Sequence, residues 1–306
     1  MHAHTAAIVV AFRPEPGQIG RLVGSLAREC QIVYVMDNGG GYDAISGLLG
    51  STPAVQVVDM NGNQGIGLAL NRGFELAKSA GMRYVMTFDQ DSAPPPGMAA
   101  QLVNVVEQLS AKGVRVGAAG PRIVDSRNAE PLEHPFMRRR MGWPRPTLCT
   151  SPSELVEADF LITSGCLVPL AAYEAVGAFD ENLFVDFIDM EWCFRAQALG
   201  YKSYGICSAV MPHELGIGVG GSAFGMTVLD YSPVRRYYFA RNTIRVLRLP
   251  HFSMGWKARL SLSLLARLVL LPVAVRFRKG WAQHWMMLGK GMLHGMAHVG
   301  GAYVDR

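Results

Sequence analysis

Between residues 8 and 88 short apolar runs alternate with amphipathic segments, an order that few folds accommodate. Residues 8–12 (Ile-Val-Val-Ala-Phe), 32–36, 55–60 and 83–88 read as buried strands. Ile19, Leu22, Val23 and Leu26 recur at helical spacing between the first two, and residues 68–79 read as a second helix. Strands that are apolar throughout belong to a sheet covered on both faces, so the chain is expected to be α/β, with a mostly parallel sheet flanked by helices. Polar or glycine-rich loops follow these strands, among them Asp37-Asn38-Gly39-Gly40-Gly41 and Asp89-Gln90-Asp91. In open sheets of this kind ligands sit beyond the carboxyl ends of the strands, which makes this region a Rossmann-like nucleotide-binding half.

Strand signals continue at residues 114–119 and 162–168 with longer connections. Residues 122–152 are rich in Arg and Pro, include Arg138-Arg139-Arg140, and read as a surface loop. The tail differs. Residues 260–275 are apolar but interrupted by Arg267 and Pro272, with Arg259, Arg276, Arg278 and Lys279 at the flanks. A spanning helix needs about 20 predominantly apolar residues, so this segment reads instead as an amphipathic helix lying in a membrane interface. Arg259, Ser263, Arg267 and Arg278 fall on one arc, with leucines opposite. A helix packed on the domain core is the other reading. The division expected is a domain over 1–250, with a nucleotide-binding half at 1–115 and a second half at 116–250, then an amphipathic helical extension over 251–306.

Composition narrows the classes further. Half of the 306 residues are hydrophobic and 17% are charged, apolar enough to fit contact with a membrane surface. The net charge of +5 is modest, and no basic-aromatic surface or helix-turn-helix pattern appears, so no nucleic-acid partner is expected. Five cysteines without a Cys-x-x-Cys pair argue against a disulfide framework or zinc knuckle and predict reduced, buried thiols. The N-terminus lacks the basic and apolar regions of a signal peptide, which makes the cytoplasm the expected compartment.

The chemistry is concentrated after the strands. Asp89 and Asp91, two carboxylates at i and i+2 beyond a buried strand, can face one divalent ion and the ribose-diphosphate of a nucleotide. Their oxygens suit Mg²⁺ or Mn²⁺. An acidic pair by itself is more often a solvated turn; its place after residues 83–88 raises it above that. Gly65-Ile66-Gly67-Leu68-Ala69-Leu70 lacks the third glycine of a dinucleotide fingerprint and follows the third strand, which excludes a Rossmann oxidoreductase. The loop Arg13-Pro14-Glu15-Pro16-Gly17 is poor in glycine, against a nucleotidyltransferase.

The ordered set formed by residues 8–12, Val35-Met36-Asp37-Asn38-Gly39, residues 63–73 and Phe88-Asp89-Gln90-Asp91-Ser92 resembles glycosyltransferase family 2. The Asp-Gln-Asp-Ser form resembles its rhamnosyltransferase branch. The likeness continues through Ser164-Gly165, Gly177-Ala178-Phe179-Asp180 and residues 186–195, and covers roughly 6–245. It implies a GT-A fold and an inverting transfer from dTDP-L-rhamnose, a UDP-sugar being the alternative donor. The implied acceptor is a lipid-linked saccharide or polysaccharide of cell-surface glycan synthesis, met at the inner face of the cell membrane by a peripheral enzyme. Mg²⁺ or Mn²⁺ is the implied cofactor.

The resemblance also assigns residues. Phe12, Asp37, Asn63, Gly65, Asn71, Asp89, Gln90, Asp91 and Arg241 form the nucleotide-sugar set, and Asp91 and His213 the metal set. Asp189 is the base, with Glu191 and Asp186 as alternatives; Glu191 stands where many relatives carry aspartate. Arg235 and its neighbours face either a pyrophosphate or anionic lipid. Each has a plainer role open to it: Asp37 as a turn residue, His213 as a structural histidine, the acids near 189 as helix caps. A non-catalytic relative would be expected to have lost its acids, yet Asp37, Asp89, Asp91 and Asp189 are all present.

Overall fold

The structure, a computed structural model, describes residues 2–50, 52–125, 132–212, 219–223, 226–229, 231–274 and 281–304. The first half runs β1 (His2–Ala11), α1 (Pro16–Glu29), β2 (Cys30–Asp37), α2 (Tyr42–Leu49), β3 (Val55–Asp59), α3 (Ile66–Ser79), β4 (Tyr84–Asp89) and α4 (Met98–Ala111). Then come β5 (Val116–Asp125), β6 (Leu132–His134), β7 (Phe136–Arg140), β8 (Trp143–Thr147), β9 (Leu155–Ala158) and β10 (Cys166–Pro169). After these follow α5 (Leu170–Val176), a 3₁₀ turn at Glu181–Leu183, α6 (Ile188–Ala198), β11 (Lys202–Pro212), β12 (Val219–Ala223) and β13 (Met226–Leu229). Three helices close the chain, α7 (Pro233–Val246), α8 (Met254–Ala274) and α9 (Trp281–Met296).

The main sheet has the order β3-β2-β1-β4-β10-β5-β11-β9, with β6 on β5. Its first four strands are parallel, and β5 and β11 run parallel to each other; β10, between β4 and β5, is antiparallel to both. The α/β sheet expected from the alternation is thus present. One face is covered by Ile19, Leu22, Val23 and Leu26 of α1 and Leu102 and Val106 of α4, the other by Leu70 and Phe74 of α3 and Trp192 and Phe194 of α6. Helix α1 starts where it does because Glu15 accepts from the amides of Gly17 and Gln18 while Pro16 occupies the first turn.

Two expectations fail. Residues 122–152 are not a loop: they complete β5, supply β6, and form the antiparallel pair β7–β8. Met141 and Gly142 both take positive φ, the backbone of a tight two-residue hairpin turn. Pro144 and Pro146 disguised the second strand; among the described residues it pairs only with β7, and an edge strand tolerates prolines. The cysteines also depart from the reading, since Cys149 is bonded to Cys207. The pair is 58 residues apart in sequence and is brought together when the chain leaving β8 returns beside β11, a proximity no spacing motif records. Cys30, Cys166 and Cys193 remain buried thiols; burial pushes Cys30 and Cys193 up to about 12, too high to be reactive.

In the tail, Trp256, Leu260 and Leu264 of α8 are buried, whereas Leu262, Leu265 and Val269 are exposed. Helix α9 lies along α7, where a Cβ on Gly291 or Gly295 would meet the carbonyl oxygen of Tyr237 or Arg241. No helix among the described residues is long and apolar enough to cross a membrane.

Candidate active site

Strands β1 to β4 end nearly level. The register pairs Ala11 with Asp37, Asp37 with Asp59, and Val10 with Asp89. The chain passes from β1 outward to β2 and β3, then returns through α3 to place β4 on the other side of β1. The loops after β1 and β4 therefore diverge, opening a crevice at the carboxyl edge. Phe12 is exposed at this rim, and its amide donates to the Gln90 side-chain oxygen at 2.6 Å, which ties the two loops together. Asp37 is wholly buried; one carboxylate oxygen accepts from the Gly39 amide at 3.1 Å, and the other has no partner among the described residues. Asn38 and Asn63 brace the next loop, with Asn38 accepting from the Gln64 amide and Asn63 from the Gly65 amide.

The facing wall is the segment leading into α6. Ser164 donates its hydroxyl to Asp89. Phe184, Asp186 and Phe187 have φ of +65°, +60° and +68°. Non-glycine residues rarely adopt this conformation, which costs about 1 kcal/mol or more at each. The strain is held by α7: Arg241 donates to the carbonyls of Asn182, Leu183 and Gly301, and Asn242 to those of Leu183, Val185 and Asp186.

The strained turn delivers Asp189 in the first turn of α6, which begins at Ile188. Burial pushes its carboxyl up to about 6, with the charges of Asp89 and Asp186 acting the same way against the Met190 amide that it accepts from. Asp186 is ion-paired to Arg235 at 2.9 Å. Glu191 lies two residues on, about 200° further around the helix. It accepts from Arg195 at 2.9 Å through both oxygens and stands 3.1 Å from His251. Burial pushes its carboxyl up, but the hydrogen bonds from His251 and Arg195 and the Arg195 charge outweigh that and leave it lowered. Three acids, Asp89, Asp186 and Asp189, share one electrostatic neighbourhood; Glu191 is committed to a buried pair.

Other residues singled out from the sequence have structural partners instead. Asn71 is buried, accepts from the Phe179 amide and the Tyr173 hydroxyl, and donates to the Phe179 carbonyl and Glu181; it anchors the segment before the strained turn. Arg241 is wholly buried and its guanidinium holds backbone carbonyls, so it is a clamp and not a surface for pyrophosphate. Gly65 is required by packing, because a Cβ there would stand 2.7 Å from the Phe184 ring, and its φ is +85°. His213 lies outside the described residues.

Residues 7–153 match the family model described as Glycosyl transferase family 2. The chain is 28% identical over 255 residues to the dTDP-rhamnosyl transferase RfbF of Shigella flexneri, covering 83% of each chain. It is 26% identical over 231 residues to an N-acetylglucosaminyl-diphospho-decaprenol L-rhamnosyltransferase of Mycobacterium tuberculosis, covering 68% of this chain and 75% of that one. The chain is a glycosyltransferase, and these matches support family 2. Both of these relatives are named as rhamnosyltransferases, which supports that branch.

Solved structures agree on the fold. The transferase superposes on S. aureus TarS 1–349 in complex with UDP-GlcNAc with a TM-score of 0.57 at 13% identity, over 96% of this chain and 81% of that one. With GalNAc-T7 bound to UDP, GalNAc and Mn²⁺ the TM-score is 0.56 at 12% identity, over 90% of this chain and 58% of that chain. These are GT-A folds, the architecture expected from the resemblance.

The donor set of the transferase suits a hard divalent cation. Asp91 is half-buried and nothing pairs with it among the described residues, while Asp89 two residues away keeps a second carboxylate at the same edge. No group of three or more ligating side chains is present among the described residues. Two carboxylates with an otherwise open shell fit Mg²⁺ or Mn²⁺, which complete their coordination with water and substrate phosphates. Ser164 and Asn242 lie within the span that carries the resemblance and Arg267 on the tail arc; the sequence did not give their partners, which are Asp89 for Ser164, the carbonyls before α6 for Asn242 and the Phe239 ring for Arg267.

Proposed function

We propose that this transferase moves L-rhamnose from dTDP-L-rhamnose, with inversion, onto a lipid-linked saccharide or polysaccharide in cell-surface glycan synthesis. Asp189 carries the proposal: a half-buried carboxyl held near pKa 6, within electrostatic reach of Asp89 at the carboxyl edge of the sheet. A base with a pKa close to working pH is mostly ionised yet still basic enough to take a proton. As the acceptor oxygen attacks the anomeric carbon, Asp189 removes the hydroxyl proton. The bond from that carbon to the diphosphate oxygen breaks, and its electron pair leaves with dTDP. Asp89 and Asp91 hold the ribose and diphosphate side of the donor, and the unpartnered oxygen of Asp37 accepts from the pyrimidine N–H. Bound Mg²⁺ or Mn²⁺ on Asp91 would supply positive charge to the departing diphosphate. The name of the Shigella relative supports the donor, and that of the mycobacterial relative a diphosphate-lipid acceptor.

The test is donor binding and hydrolysis by the full chain, offering dTDP-L-rhamnose, dTDP-glucose, UDP-glucose, UDP-galactose and GDP-mannose with Mg²⁺, Mn²⁺ or EDTA. Preference for dTDP-L-rhamnose is expected, weakened about tenfold by EDTA and by Asp91→Ala, the scale of a lost charge-assisted contact. Preference for a UDP-sugar would replace the donor. No binding by folded protein with metal present would remove the enzymatic reading.

The exposed Leu262, Leu265 and Val269 of α8 and Trp285, Met286 and Leu293 of α9 support docking on the cytoplasmic face of the membrane that holds such an acceptor. Arg259, and Arg276, Arg278 and Lys279 in the sequence between the helices, complement anionic headgroups. Vesicles containing phosphatidylglycerol should pull down the protein in sedimentation. The double substitution Leu262→Glu and Leu265→Glu should leave it in the supernatant; equal pelleting of the two would refute the surface.

A further inference from the structure

One face of α8 turns into the body of the enzyme. Trp256, Leu260 and Leu264 are buried along it, and Arg267 continues the same line. The Arg267 guanidinium carbon stands 4.1 Å from the centre of the Phe239 ring, and Phe239 lies 5.6 Å from Phe187, the residue that immediately precedes α6. A tail-helix cation thereby reaches the wall that presents Asp186 and Asp189. The sequence pattern places this arginine on a face opposite the leucines; in the structure Arg267 follows Leu260 and Leu264 toward the body, while Arg259, Leu262 and Leu265 stay exposed.

Arg267 is costly where it stands. Burial pulls its guanidinium below the usual range, with Tyr231 and Asp186 acting the other way. Among the described residues its Nε has no acceptor. Arg235 pairs with Asp186 at 2.9 Å, lies 4.7 Å over the Tyr231 ring, and among the described residues also leaves its Nε without a partner. Two partly exposed guanidinium groups thus face one carboxylate, Asp186, and each keeps a buried Nε unused among the described residues. Buried donors without acceptors are unfavourable unless a ligand supplies the oxygens, and a planar guanidinium fork matches phosphate oxygens.

We infer that Arg235 and Arg267 form a diphosphate-binding pair at the rim of the crevice, with the tail helix contributing half of it. The inference rests on the glycosyl-transfer reading of this crevice. Its ligand is a diphosphate group, carried either by the nucleotide of the donor or by a lipid-linked acceptor.

The test compares the full chain with Arg267→Gln, Arg235→Gln and Arg267→Lys by calorimetry, using inorganic pyrophosphate, dTDP and thymidine with Mg²⁺. Steady-state KM values for donor and for a diphosphate-lipid acceptor complete it. Each glutamine variant should weaken pyrophosphate about tenfold while thymidine binding stays as in the parent. A matching loss for dTDP assigns the pair to the donor; unchanged dTDP with a tenfold higher acceptor KM assigns it to the lipid diphosphate. Arg267→Lys, which keeps the charge but not the fork, should fall between, and it stands in if Arg267→Gln fails to melt cooperatively. Pyrophosphate affinity and both KM values within twofold of the parent, in folded variants, would overturn the pair and leave the donor assignment intact. A parent that binds pyrophosphate but no dTDP would do the reverse.

Discussion

Asp189→Asn should reduce sugar transfer by about a thousandfold, the range lost when a general base is removed, and should make the protein more stable at neutral pH. The two effects share one cause. In the unfolded chain the carboxyl ionises near 3.8, whereas in the fold burial, with Asp89 and Asp186 nearby, pushes it up to about 6. The folded state therefore holds a proton between those values that the unfolded state has released, and stability falls as pH rises from about 4 to about 6. Above pH 6 the ionised carboxylate carries a penalty of roughly two pK units, or about 3 kcal/mol at 1.36 kcal/mol per unit. Asparagine keeps the shape without the charge. Its advantage should be full at pH 7.5, shrink below pH 6, and vanish near pH 4, which denaturant titrations at three pH values would read. The same ionisation predicts that kcat/KM of the parent climbs with pH to a plateau above about 6. If Asp189 only caps α6, the variant should instead remain active with unchanged or lower stability.

Glu191→Ala should do the opposite, costing about 3–5 kcal/mol of stability, the usual consequence of stripping one partner from a buried ion pair. Arg195 would keep its bonds to the carbonyls of Val176 and Ala178 but lose both carboxylate contacts, and His251 would lose its neighbour. Because the Glu191 carboxyl is lowered in the fold, its contribution is present above about 4.5 and is lost as pH falls through the lowered value. Parent and variant should therefore converge in acid. At low temperature, where the variant stays folded, transfer per folded molecule should remain within severalfold of the parent. A stable but inactive Glu191→Ala protein would return this residue to the list of bases.

These two acids mark where sequence reasoning ended. Asp189 and Glu191 have the same side-chain chemistry and lie two positions apart, so no motif separates them; the turn of the helix does, sending one toward Asp89 and the other into Arg195 and His251. Arg241 and Asn71 show the same limit. Each reads as a polar residue available to a ligand, and each is occupied by backbone from 58 to 60 or 108 residues away.

What the amino-acid order determined by itself was the α/β alternation, the boundaries of β2 and β4 to within a residue or two, and the placing of Asp37, Asp89 and Asp91 just where strands end. These are local properties: hydrophobic periodicity sets the element, and a buried strand must end in a loop at the sheet edge. Tertiary structure alone decided which polar side chains were left without a partner. It paired Cys149 with Cys207, filled the space beside Gly65 with Phe184, and turned Arg267 inward. The reason is that an unmet hydrogen bond or a desolvated charge is defined by every atom within a few ångströms, and most of those atoms come from distant parts of the chain.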